Sequence, residues 1–126
     1  MNALDKKKLN LLVHLAKADG RFDSTERELL KIFIKEKGLS ENLLDEDHPM
    51  HDNLGENIES KIELLYWALK VMHADGVVHD KEILFCQNLA AKLNFKEEII
   101  KTYVTPPLPP YEEFETDVRR YWLAGL

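Results

Sequence analysis

Four carboxylates occupy repeated positions in this chain. Asp19 and Glu26 lie seven residues apart, and Asp75 and Glu82 repeat that spacing 56 residues later. The stretches that hold them match: Ala18-Asp19-Gly20-Arg21-Phe22-Asp23-Ser24-Thr25-Glu26 and Ala74-Asp75-Gly76-Val77-Val78-His79-Asp80-Lys81-Glu82. Carboxylates brought together repel one another unless they are protonated, hydrogen-bonded or bound to metal. Hard oxygen donors of this kind suit a divalent cation such as calcium, magnesium or manganese, and not zinc. The competing reading is structural. An aspartate in the last turn of a helix meets the negative end of the helix dipole, an effect of roughly 0.3–1 kcal/mol when exposed. Hydrogen bonds from the turn that follows relieve it as well as a cation does. Turn and cap hydrogen bonding is the weightier of the two readings, and the candidate metal ligands are Asp19, Glu26, Asp75 and Glu82.

A calcium-loop register gives a sharper test. With Gly20 at the sixth loop position, Asp19 takes the fifth, Phe22 the apolar eighth, Asp23 the ninth and Glu26 the twelfth. The second copy gives Asp75, Gly76, Val78, His79 and Glu82 in the same places. The first and third positions hold Leu15 and Lys17, or Val71 and His73, so two essential oxygen ligands are missing. A degenerate EF-hand-like calcium protein is therefore an alternative and not the main reading.

The elements that must position these acids are helices. Asp5 is a plausible N-cap for a first helix whose apolar stripe is Leu9, Leu12, Val13 and Ala16. Gly20 ends it, and Phe22 turns inward from the polar turn. Ser24 or Thr25 opens a second helix that buries Leu29, Leu30, Phe33 and Ile34 and closes at Gly38. Ser40 caps a short third helix with Leu43 and Leu44, and residues 45–55 form a polar loop containing His48 and His51. A long fourth helix from near Glu56 carries Ile58, Ile62, Leu65, Tyr66, Leu69 and Met72. Asp80 caps a fifth helix with Ile83, Leu84, Leu89 and Leu93 on its inner face, and Asn94 closes it. A sixth helix covers residues 97–104. Pro106-Pro107-Leu108-Pro109-Pro110 then stiffens the chain before a seventh helix, residues 111–123, whose aromatic face is Tyr111, Phe114, Val118, Tyr121 and Trp122.

Residues 11–44 align with residues 67–100 without a gap, which marks an internal duplication of a three-helix unit. The expected fold is all-α: one bundle of about seven helices with a pseudo-twofold repeat. Residues 1–105 form the duplicated domain and residues 106–126 a proline-rich spacer and C-terminal amphipathic helix. The duplicated Ala-Asp-Gly turn, its following apolar residue and its Glu resemble the TerB-like tellurite-resistance family. They also resemble the related N-terminal region of DnaJ-type co-chaperones. The resemblance covers residues 5–104. It implies a helical bundle with internal pseudo-twofold symmetry and an acidic cluster that binds divalent metal, in bacterial cytoplasmic stress-response or scaffolding systems. It carries over to Asp19, Glu26, Asp75 and Glu82. Many family members have a further acid two residues before the Asp, where Lys17 and His73 stand here, a departure that counts against strong metal binding.

Composition narrows the function classes. A net charge of −6 over 126 residues opposes nucleic-acid binding and docking on anionic lipid. The single cysteine, Cys86, forms no internal disulfide and fits a reducing compartment. Lys6-Lys7-Lys8 and the apolar residues after it imitate a signal peptide. Asn10 and His14 interrupt the run, however, and its end belongs to the repeated motif. A cytoplasmic location is expected. Cys86 takes the place of Leu30 in the second copy, a buried and inert position. His14, His48, His51, His73 and His79 show no zinc-site spacing, and no nucleophile stands beside a base. The expected function is a non-enzymatic module acting through protein partners. The enzymatic alternative is a metal-dependent hydrolase using the clustered carboxylates. The aromatic C-terminal helix either docks at home, the favoured reading, or joins two copies in a homodimer.

Overall fold

The computed structural model describes residues 3–18, 24–39, 57–74, 78–105 and 108–122. Among these residues six α-helices follow in chain order: α1 (Ala3–Ala16), α2 (Ser24–Lys37), α3 (Ile58–His73), α4 (Asp80–Lys92), α5 (Glu98–Thr102) and α6 (Tyr111–Val118). A 3-10 turn, Arg119–Tyr121, extends α6. No strand occurs among the described residues, only an isolated bridge between Phe95 and Trp122. The short third helix expected after Ser40 and the loop with His48 and His51 lie outside the described residues.

The core forms where apolar stripes meet. Besides Leu9, Leu12, Val13 and Ala16, helix α1 buries Leu11 and Leu15, a band wider than one stripe. Its neighbours explain this, for it packs against α2, α3 and α4. The 16 residues of α3 make it the longest described helix, and Ile62, Leu64, Leu65, Trp67, Ala68, Leu69, Val71 and Met72 are all buried. Such a helix has little polar face left, as expected at the centre of a bundle. Phe33 of α2 meets Trp67 edge-to-face at 5.1 Å, which locks α2 onto α3.

Two helix exits share one geometry. Gly38 (φ 67°) and Asn94 (φ 66°) are left-handed residues that end α2 and α4. After them, Leu39 N–H donates to Ile34 O at 3.0 Å and Phe95 N–H to Ala90 O at 2.9 Å. Those are the long closing bonds of a Schellman motif, and they satisfy carbonyls the helix leaves open. Leu39 packs against the core and Phe95 enters it, as the pattern required.

Three local expectations change. Helix α1 begins at Ala3, so Asp5 sits in its first turn and not at its cap. The N-cap of α4 is His79, in extended conformation, and Asp80 is the first helical residue. Leu84 was expected inside but is 57% exposed, because Cys86, Leu89 and Ala90 carry the buried face of α4.

The C-terminal segment docks on the bundle. Phe114 and Val118 are fully buried, and Tyr111 and Trp122 pack against the same core. Phe114 lies 5.0 Å from Tyr66 of α3 and 5.1 Å from Tyr103 beyond α5. Tyr66 also meets Tyr111 edge-to-face at 5.2 Å, and its hydroxyl donates to Pro109 O at 2.7 Å. The aromatic side of α6 is thus occupied within its own chain.

Candidate functional site

The repeated turns split across the described residues. Asp19 and Asp75 lie outside them, and so do Gly20, Phe22 and Gly76. Glu26 and Glu82 are well placed, in the first turns of α2 and α4. There the positive end of the helix dipole favours a carboxylate. Both are interior residues, only 2% and 1% exposed. A buried carboxylate is costly unless compensated, and each of the two takes part in a hydrogen bond or electrostatic contact. Among the described residues no three His, Cys, Asp or Glu side chains converge to hold a metal ion.

Cys86 lies one turn after Glu82 and is fully buried. Burial, and then the Glu82 charge, push its thiol far above the ordinary range. The thiolate is therefore suppressed, and Cys86 behaves as the small apolar side chain its register suggested. His73 is committed as well, its Nε2 lying 2.7 Å from Tyr103 O. His79 caps α4 through its backbone position, with no side-chain cap bond.

A second polar cluster was not anticipated. Lys8 of α1 is only 4% exposed, and its ammonium donates to Ser60 Oγ in the first turn of α3. Burial lowers the Lys8 pKa, the nearby Glu63 opposes that shift, and Lys37 adds to it. Glu63 Oε1 in turn accepts from Lys37 Nζ at 2.5 Å, so one carboxylate links α2 to α3 beside the buried amine. Asn57 Oδ1 caps α3 by accepting from the N–H groups of Glu59 (2.8 Å) and Ser60 (3.3 Å). One signal was available: Lys8 precedes Leu12 and Leu15 by one and two turns, which puts it on the inward stripe.

A groove beside α2 also escaped the sequence reading. It holds about 620 Å³ between α2 and the end of α3 and is lined by Thr25, Glu28, Leu29, Ile32, Lys70, His73, Ala74 and Leu108. Ile32, 52% exposed, lies on its wall. The signal here was an apolar residue off the buried stripe of Leu30, Phe33 and Ile34, a position that amphipathic patterning leaves polar.

No helix among the described residues is long and apolar enough to cross a membrane. No family model and no solved structure matches the chain. A sequence match exists to a protein translocase subunit SecA of Synechococcus sp. (strain JA-3-3Ab), 34% identical over 119 residues. It takes in 76% of this chain, which spans 12% of the length of that relative.

Proposed function

We propose that this chain is a non-enzymatic, TerB-like helical module, built from a duplicated unit and acting through protein partners in the cytoplasm. One observation supports the reading: several features 56 residues apart in the sequence have similar local surroundings. Glu26 and Glu82 are buried in equivalent first turns. Gly38 and Asn94 end their helices with the same positive φ and the same pair of closing bonds. Helix α1 packs against α2 as α3 packs against α4, while the cross-contacts of α1 with α4 and α2 with α3 correspond. This is the pattern expected of a pseudo-twofold axis relating two helical units, and it supports the duplicated reading.

A divalent cation at the turns is the second reading. The burial of two carboxylates at matching positions favours it, because oxygen ligands drawn from both turns would be compensated by the ion. Titration calorimetry with calcium and with manganese separates the two. The structural reading expects no heat of binding at millimolar metal. A stoichiometric isotherm that the Asp19→Asn, Asp75→Asn double variant abolishes would establish the cation site instead. A phosphoester screen with manganese checks the hydrolase alternative, which requires turnover that depends on the same acids.

A further inference from the structure

The groove beside α2 is preformed on two sides. The His73 ring is fixed against Tyr103 O at 2.7 Å, and the strand of chain that brings Leu108 is pinned by the Tyr66 hydroxyl on Pro109 O at 2.7 Å. A preformed apolar surface loses little freedom when it is covered. Its walls are Leu29 and Ile32 of α2, Ala74 just past α3, and Leu108. Two charges edge it, Glu28 and Lys70, and Glu28 lies 3.3 Å from the Lys31 ammonium in an exposed pair. The Lys70 ammonium rests on aromatic faces, 4.3 Å from the Trp67 ring centre and 5.2 Å from that of Tyr66, and no carboxylate pairs with it among the described residues. On a chain of net charge −6, this groove therefore offers apolar surface edged by a lysine that pairs with no carboxylate among the described residues.

We propose that the groove receives the apolar face of an amphipathic helix from a partner protein, with a carboxylate of that helix meeting Lys70. The inference rests on the protein-partner reading above and gives it a surface and a chemistry. The stretch of α2 along the groove, residues 24–32, is about 12 Å long at the α-helical rise. That matches two turns of a bound helix, with apolar residues at i, i+3 or i+4, and i+7.

A phage-displayed library of helical peptides, randomised on one face and panned on the full chain, tests the proposal. Enrichment of apolar residues at that spacing together with Asp or Glu is expected. Ile32→Asp, at an exposed position that should fold normally by circular dichroism, is expected to weaken the selected peptides roughly tenfold or more, the scale of a central contact. Lys70→Glu is expected to shift preference toward peptides carrying Lys in place of the acid, and Lys70→Gln to abolish the acid preference without reversing it. Binders indifferent to all three variants would overturn the groove and leave the partner reading standing. A library yielding no binder overturns both. Enrichment of basic peptides overturns the groove assignment. So does concentration-dependent self-association that Ile32→Asp removes, since a second copy would then be the occupant.

Discussion

Lys8 is the residue whose chemistry differs most from its sequence neighbours Lys6 and Lys7. Its stem runs along the core and its ammonium is held by Ser60 Oγ within the field of Glu63. Because burial lowers its pKa, the charged form is the one the folded state disfavours. The unfavourable contribution is fully present at pH values below the folded pKa. It is relieved as pH rises from there toward the unfolded value of 10.5, since in that window the unfolded chain binds more protons. An apolar side chain of similar length avoids the cost of burying an ion, and Glu63 keeps Lys37 as its partner when Lys8 is replaced. Lys8→Met is accordingly expected to equal or exceed the natural chain in stability near pH 7, with the advantage shrinking as pH rises toward 10. Tyr66 and Tyr111, whose pKa values burial raises, bend the absolute curves at alkaline pH. The quantity to read is therefore the difference between the two chains, from urea unfolding at several pH values. Parallel stability–pH curves would rule out a shifted Lys8.

At the scale of elements, helix exits and the docking of α6 decide most. Gly38 has no heavy atom within 4 Å of an added Cβ, so Gly38→Ala meets no clash and isolates the left-handed backbone penalty. A loss of about 1–2 kcal/mol is expected from chemical unfolding. Asn94 holds the same conformation with a side chain, so Asn94→Gly is expected to be within a few tenths of a kcal/mol of neutral. An equal and large loss at both sites would mean that the two exits are not alike in solution. Phe114 is fully buried among Tyr66 and Tyr103, and Phe114→Ala is expected to cost about 3–5 kcal/mol in the same measurement. A cost below about 1 kcal/mol would show that α6 is loosely attached. These exits and this docking were legible beforehand, because glycine or asparagine after an apolar run and aromatics at helical spacing have local physical causes. The exposure of Leu84 and the burial of Lys8 were not. Period alone defines a stripe, while the width of the covered band depends on which helices flank it. Glu26 and Glu82 were found by their spacing, yet spacing does not say that they face inward. The groove was hidden for a related reason: Leu29 and Ile32 come from one helix, but Ala74 and Leu108 reach it from distant parts of the chain.

For the whole molecule, the question is whether residues 106–126 are an appendage or part of one cooperative unit. Phe114 and Val118 lie in the common core, and Leu108, Tyr111 and Trp122 pack on it. Full burial of two such side chains contributes about 1.5–3 kcal/mol each, before the half-buried aromatics are considered. Natural domains are stable by only about 5–15 kcal/mol, so losing this segment removes a large share of the total. It also uncovers Tyr66 and Tyr103, which lose Phe114 as a ring partner, and takes Leu108 out of the groove. A chain ending at residue 105 is therefore expected to melt more than about 10 °C lower, at roughly 2–8 °C for each kcal/mol across domains of this size range. It is also expected to bind more of a hydrophobic dye than the full chain does. Sedimentation of both chains over a range of concentrations completes the test, because a dimer held by the aromatic helix would dissociate on truncation. Melting within about 2 °C of the full chain, with no added dye binding, would make the segment an appendage. Uncovered tyrosines and lost cooperativity together would establish that the proline-rich stretch folds α6 back as the bundle's closing wall.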